Sequence, residues 1–172
     1  DSCSPFVLAR KAGVSVKGKV ASCNGNNDFT VTLYEAGSDT VVGTPLTVSG
    51  NETVGATEQE FTILNVAPGT YDLVVTKSAH LKYTVKNVTV GNAPLDLTAH
   101  TNSAIRTITL PAGDVNGDGT INSKDLNEIW GPANYLKNTT AAGVNPLADL
   151  NGDGTVNSKD LNIVWLAENY LK

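Results

Sequence analysis

Asp114-Val115-Asn116-Gly117-Asp118-Gly119-Thr120-Ile121-Asn122-Ser123-Lys124-Asp125-Leu126-Asn127 returns 35 residues later as Asp149-Leu150-Asn151-Gly152-Asp153-Gly154-Thr155-Val156-Asn157-Ser158-Lys159-Asp160-Leu161-Asn162. Twelve of the fourteen positions are identical and the other two exchange one apolar residue for another, so the segment is an internal duplication. Each copy places oxygen-bearing side chains at positions 1, 3 and 5 and a glycine at 6 for a sharp turn. A main-chain carbonyl follows at 7, a polar side chain at 9 and a carboxylate at 12. That is the oxygen spacing of a calcium loop.

The expected ligands are Asp114, Asn116, Asp118, the carbonyl of Thr120, Asn122 through water, and Asp125. In the second loop they are Asp149, Asn151, Asp153, Thr155, Asn157 and Asp160. All are hard oxygens, which suits two calcium ions better than zinc or copper. Position 12 is Asp where an ordinary EF-hand has Glu, so the start of each following helix must be drawn closer to the ion. The apolar residues at position 8, Ile121 and Val156, are expected to pair the two loops with each other. Residues 111–172 hold eight acidic and four basic side chains, against nine and eight in 1–110. Two divalent cations would neutralise the second segment, and without them its carboxylates would repel one another. A unit of this size draws little stability from its core alone, so it should be loose in the absence of metal.

Outward from the repeat, residues 14–110 read as strands. Val14–Val20, Phe29–Tyr34, Val41–Val48, Phe61–Val66, Tyr71–Thr76, Leu81–Val90 and Ile105–Leu110 are short, rich in Val and Thr, and divided by Gly, Pro, Asn and Asp. Asn24-Gly25-Asn26-Asn27 signals a turn. Within Phe61–Val75, Pro68 and Gly69 suit the two corners of a tight hairpin, with Gly69 taking the positive φ. The expected fold class is therefore mainly β: an antiparallel β-sandwich over 1–110, followed by a small all-α unit over 111–172 with two calcium loop–helix repeats, 114–137 and 149–172. Pro111-Ala112-Gly113 leaves only a three-residue linker, so the two units should touch.

The Val66-Ala67-Pro68-Gly69-Thr70-Tyr71-Asp72-Leu73 stretch resembles the carboxypeptidase regulatory (transthyretin-like) family of sandwich modules. The two loop–helix copies, closed by Asn134-Tyr135-Leu136-Lys137 and Asn169-Tyr170-Leu171-Lys172 and lacking an entering helix, resemble type I-like dockerins. That resemblance implies a calcium-dependent, non-catalytic docking module that anchors its parent protein to a cohesin on a scaffoldin. The setting it implies is an extracellular or cell-surface, bacterial, cellulosome-like complex, with the chain monomeric before docking and the sandwich acting as a bracing X module. Carried over by position, Ser123, Lys124, Ser158 and Lys159 become partner contacts, and their duplication suggests that either copy can be presented to one partner surface. Gly131-Pro132 should break the first helix while Leu166-Ala167 leaves the second intact, which would favour one face.

Leu126, Ile129, Trp130 and Ala133, mirrored by Leu161, Val164 and Trp165, share one helical stripe and read mostly as core. Trp130 and Trp165, the only tryptophans, fit core packing and equally fit interface anchors. Cys3 and Cys23 are a candidate disulfide in an exported protein, or two buried thiols. No apolar run approaches the roughly 18 residues of a membrane span. No basic stripe suggests nucleic acid. The chain has no Met, and a calcium sensor's Met-rich groove is missing with it. His80 and His100 stand without a nucleophile or acid motif, and there is no GxSxG, HExxH or phosphate loop, so catalysis is not expected. With no Met and no signal pattern at Asp1, the chain reads as a segment of something longer. The alternative function is carbohydrate binding or cell-surface adhesion by the sandwich, which is weakened because 1–110 contains no Trp.

Overall fold

The computed structural model describes residues 13–172. Cys3, the partner of the disulfide expectation, lies outside them; among the described residues Cys23 has no disulfide partner. The elements in chain order are β1 (Val14–Ser22), β2 (Phe29–Glu35), β3 (Val41–Val48), β4 (Thr57–Val66), β5 (Gly69–Lys77), β6 (Ala79–His80), β7 (Tyr83–Val90) and β8 (Leu95–Asp96). The chain continues with a helical turn α1 (Ser103–Arg106), β9 (Ile108–Thr109), β10 (Ala112–Asp114), α2 (Ser123–Trp130), β11 (Lys137–Asn138), β12 (Thr155–Val156) and α3 (Ser158–Val164).

Alternation along the early strands sets one face of each inward. β1 pairs antiparallel with β4 on one edge and parallel with β8 and β9 on the other. The second sheet runs β3-β2-β5-β7, antiparallel throughout. Val16, Val20 and Phe61 from the first sheet and Phe29, Val31, Leu73 and Val75 from the second are buried in one shared cluster. Among the described residues of this unit Phe29, Phe61 and Tyr71 are buried in its core, and Tyr34 and Tyr83 are half-buried.

The expected Pro68-Gly69 hairpin is absent, and the expected Asn24–Asn27 turn does not join paired strands. β4 and β5 leave the Pro68-Gly69 turn in different sheets, and β1 and β2 likewise leave the Asn24–Asn27 turn in different sheets. Both turns change layer because each flanking strand finds its partners elsewhere. Gly69 does not take a positive φ; the nearby left-handed residue, Asn65 (φ 59), lies within β4, where the register with β1 shifts. Gly69 is small for another reason: a Cβ there would come within 2.8 Å of the Tyr71 hydroxyl, which donates to the Ala67 carbonyl at 2.8 Å. The expected strand at Ile105–Leu110 begins instead as α1, capped by Asn102, whose side-chain oxygen accepts from the Ala104 amide at 3.0 Å.

Pro111–Gly113 is not a free linker. β10 pairs antiparallel with β6, and the Leu81 amide donates to the Pro111 carbonyl at 2.9 Å. Ala79 joins a second buried cluster with Val115, Ile121, Ile129, Leu150, Val156 and Val164, so β6 belongs to the C-terminal core. His80 is locked beside it. Its Nδ1 donates to the Ser78 carbonyl at 2.8 Å, which leaves Nε2 to accept the Cys23 amide at 3.4 Å, with the Cys23 Sγ at 3.3 Å. Burial, reinforced by the Lys77 ammonium, pushes the imidazole pKa down to about 4.

The unfolded chain takes up this proton as pH falls through 6.5, whereas the folded chain refuses it until about pH 4. Between those limits the unfolded state binds more protons, so acidification destabilises the fold by on the order of 3 kcal/mol at the acid end. Urea unfolding at pH 7, 5.5 and 4.5 should show His80→Gln losing less stability on acidification than the parent. Parallel losses in the two proteins would refute the assignment.

Candidate cation loops and helix face

Each loop is built around the buried carboxylate at position 12. Asp125 Oδ1 accepts from the Val115 and Asn116 amides at 3.0 and 3.2 Å, and Oδ2 accepts from the Asn122 amide at 2.9 Å. Asp160 repeats this with Asn151 at 3.1 Å and Asn157 at 2.8 Å. Asn122 and Asn157 reciprocate: their side-chain oxygens cap α2 and α3 by accepting the Lys124 and Lys159 amides. The Asp at position 12 is thus one half of a capping box, which fixes the helix start against the loop.

At position 1, Asp114 Oδ2 accepts the Gly119 amide at 3.1 Å, while Oδ1 is buried without a hydrogen-bond partner among the described residues. Burial is the main cause raising the pKa of Asp114, with the charges of Asp125 and Asp118 adding to it. At position 5, Asp118 Oδ1 accepts the Thr120 amide and hydroxyl, and Oδ2 accepts the Lys124 ammonium at 3.0 Å. Those hydroxyl and ammonium contacts hold the Asp118 pKa down to about 2. Lys159 makes the same pair with Asp153 Oδ2 at 2.7 Å. Each lysine therefore shares the second oxygen of position 5 with the side-chain amide of position 3, which donates to it at 3.4 Å from Asn116 and 3.0 Å from Asn151, and places a positive charge there.

A buried orphan carboxylate oxygen, an ammonium on the neighbouring carboxylate and an all-oxygen donor set fit a hard divalent ion. Among the described residues no three His, Cys, Asp or Glu side chains converge on their own. A cage of this kind relies equally on asparagine and main-chain oxygens. The second loop differs at position 1: both oxygens of Asp149 are engaged, Oδ1 by the Gly152 and Asp153 amides and Oδ2 by Gly154.

Position 8 behaves differently from expectation. Ile121 and Val156 do not pair with each other. The Ile121 amide donates to the Lys172 carbonyl, and the Leu171 amide returns a bond to Ile121. Val156 pairs with Lys137 and accepts from the Leu136 amide. The reason lies in the Asn-Tyr-Leu-Lys tails. Leu136 and Leu171 adopt φ values of 59° and 60°, which turn each tail across to the opposite loop. The buried Asn134 and Asn169 anchor those tails. Their amide nitrogens bond the Glu128 and Ile163 carbonyls, and their oxygens accept the Asn145 and Ala112 amides. The repeated Asn at the start of each tail was the available sequence signal for this role.

Gly131-Pro132 does not set the copies apart, since α2 ends at Trp130 and α3 already ends at Val164. The core reading of the tryptophans and Ala133 is also overturned: Trp130 is 61% exposed, Trp165 57%, and Ala133 is exposed. The rest of that stripe is borne out: Ile129 and Val164, one residue earlier on each copy, are fully buried, and Leu126 and Leu161 are half-buried against the same core. Each Trp leans on the tyrosine of its own tail, Trp130 on Tyr135 with centroids 4.4 Å apart and Trp165 on Tyr170 at 4.7 Å. Ser123, Asn127 and Trp130, spaced i, i+4 and i+7, share the outer face of α2 with Lys124 beside them, and Ser158, Asn162, Trp165 and Lys159 repeat the arrangement on α3.

Residues 112–167 match the type I dockerin domain. Over most of its length the chain is similar to one chain of the crystal structure of an N-terminal interface mutant of the type II cohesin–X-dockerin complex from Acetivibrio cellulolyticus. Identity is 27%, the match covers 93% of this chain and 97% of that one, and the TM-score is 0.64. A C-terminal interface mutant of the same complex matches at 26% identity, with the same coverage and a TM-score of 0.66. No curated protein matches the chain.

Substitutions at positions 12 and 5 should separate folding from cation uptake. Asp160→Ala strands the half-buried amides of Asn151 and Asn157 and removes half of the α3 capping box, which costs about 1–3 kcal/mol even in chelator, where no cation contributes. Asp118→Asn should leave the helical circular dichroism in chelator unchanged and weaken calcium binding in calorimetry. If both variants behave alike in chelator, the division of roles is wrong.

Proposed function

We propose that this chain is a calcium-dependent, non-catalytic docking unit that anchors its parent protein to a cohesin module of a scaffoldin in an extracellular or cell-surface, bacterial, cellulosome-like complex. Residues 111–172 act as the dockerin and fold around two calcium ions. The β unit before them serves as a bracing X module of the transthyretin-like kind. The ions are held by Asp114, Asn116, Asp118, Thr120, Asn122 and Asp125, and by Asp149, Asn151, Asp153, Thr155, Asn157 and Asp160. Calcium contributes charge neutralisation that lets the carboxylates share a tight loop.

One observation carries the docking reading: an exposed Ser-Lys…Asn…Trp face occurs twice, on α2 and α3, above a common core. Exposed tryptophans backed by tyrosines supply rigid apolar area. The serines and lysines beside them supply hydrogen bonds and charge, which set orientation. The near-equal lengths of α2 and α3, 8 and 7 residues, support presentation of either copy to the same partner surface, related by about half a turn.

Calorimetry of the full chain against a panel of cohesins should give binding in calcium and none in chelator. Replacing Ser123 and Lys124 with alanine, or Ser158 and Lys159, should each cost well under tenfold in affinity, and replacing all four should abolish binding. Loss of binding from one pair alone would rule out presentation by either copy, and calcium-independent binding would overturn the docking mechanism.

A further inference from the structure

The two loops are nearly identical in sequence, yet the β unit holds them differently: the first at position 1, where Asp114 in β10 pairs with Ala79 in β6, the second by hydrogen bonds to successive carbonyls of the loop. Asn24 Nδ2 donates to the Leu150 carbonyl at 2.7 Å, and the Cys23 thiol donates to the same oxygen at 2.9 Å. The Gly55 amide donates to the Asn151 carbonyl at 2.7 Å, and Asn26 Nδ2 donates to the Gly152 carbonyl at 3.3 Å. These carbonyls occupy loop positions 2, 3 and 4 in succession, and none is an expected ligand. Among the described residues the carbonyls of Val115, Asn116 and Gly117 in the first loop receive no such bond.

Burial follows the same asymmetry. Gly117, Asp118, Gly119 and Thr120 are exposed, whereas Gly152 is buried and Asp153, Gly154 and Thr155 are half-buried. Contact at Gly152 is close enough that a Cβ would meet the Asn26 amide nitrogen at 2.6 Å, and its φ of 72° already demands glycine. The Asn24–Asn27 turn is therefore shaped to the second loop.

We propose that the β unit is a positioning scaffold for the main chain of the second cation loop, so that this loop takes calcium more tightly than the first and gives it up last. A loop whose main chain is already fixed loses less conformational freedom when it closes on an ion. Reduced access of water also strengthens the attraction between ion and carboxylates. The linkage is reciprocal: calcium in the second loop tightens the contact between the units, and calcium in the first does so to a lesser degree. As calcium falls, the α3 copy of the docking face outlasts the α2 copy. The inference rests on the calcium reading above and assigns Asn24, Asn26 and Gly55 a role that the ligands do not perform.

The amides of Gly119 and Gly154 report the two sites separately, because each donates to the position-1 carboxylate of its own loop. Nuclear magnetic resonance of the full chain, with free calcium set by a chelator buffer, should show Gly154 reaching its half-change at a free calcium roughly fivefold or more below Gly119. Asn24→Ala combined with Asn26→Ala should raise the Gly154 midpoint by a similar factor and move Gly119 little. Asn26→Ala alone, at a half-buried site, should give a smaller shift in the same direction. Coincident midpoints in the parent, or equal shifts of both glycines in the variants, would overturn the proposal. If the double variant fails to fold, the order of the midpoints in the parent still decides. Absence of any calcium response at either glycine would sink the cation reading itself, whereas a response without order would sink only the scaffold.

Discussion

Ile121 and Val156 sit at the same place in their loops, and each hydrogen-bonds the chain that closes the other repeat. Neither repeat can therefore complete its own loop. Asn134 and Asn169 add a second crossing, since each receives an amide from the strand or turn leading into the opposite copy. Mutual closure brings Ile121, Val156, Ile129 and Val164 into one small core. It also leaves the outer faces of α2 and α3 uncovered. The duplicated exposed Ser, Lys, Asn and Trp are a consequence of that closure, because the inward side of each helix is already used.

Placement of the cation loops follows from the same constraint. A helix that starts on a capping box shared with position 12 cannot shift without stranding amides of its own loop. Loop, helix start and the exposed helix face are consequently one mechanical unit. This is why Lys124 and Lys159, candidates for partner contact, are also the groups that touch the position-5 carboxylates. A divalent ion competes with each ammonium for its carboxylate oxygen, so calcium binding would release the lysines towards a partner. Ion pairs this exposed add little stability of their own.

Much of the local design was legible in the sequence. The fourteen-residue repeat marks both loops and both helix starts, because ligand spacing and capping depend on near neighbours. Alternation in Val14–Val20 and Phe29–Tyr34 places those strands correctly for the same reason. Long-range partners were not legible. Pro68-Gly69 and Asn24–Asn27 look like hairpin turns, and nothing nearby reveals that β4 seeks β1 while β5 seeks β2. Trp130 and Ile129 differ by one helical step, and an amphipathic stripe over eight residues is too short to tell which of two neighbours points inward. The tail turns at Leu136 and Leu171 require left-handed backbone at leucine, which composition disfavours and only the tertiary fold imposes.

The junction between the units brings several of these long-range features together. Cys23 and Asn24 at the end of β1, His80 in β6 and Leu150 in the second loop are far apart in sequence and meet in one hydrogen-bonded chain. A histidine kept neutral, a thiol pushed up to about 12 by burial and a buried asparagine all have partners there. Groups of this kind cost stability when left unpaired, so the junction tolerates only one arrangement of the two units. A rigid arrangement suits a bracing role: two short helices on a small core hold their outer faces steadily when the loop beneath one of them is fixed to a larger β framework. The duplicated sequence supplies two equal faces, and the junction makes them unequal.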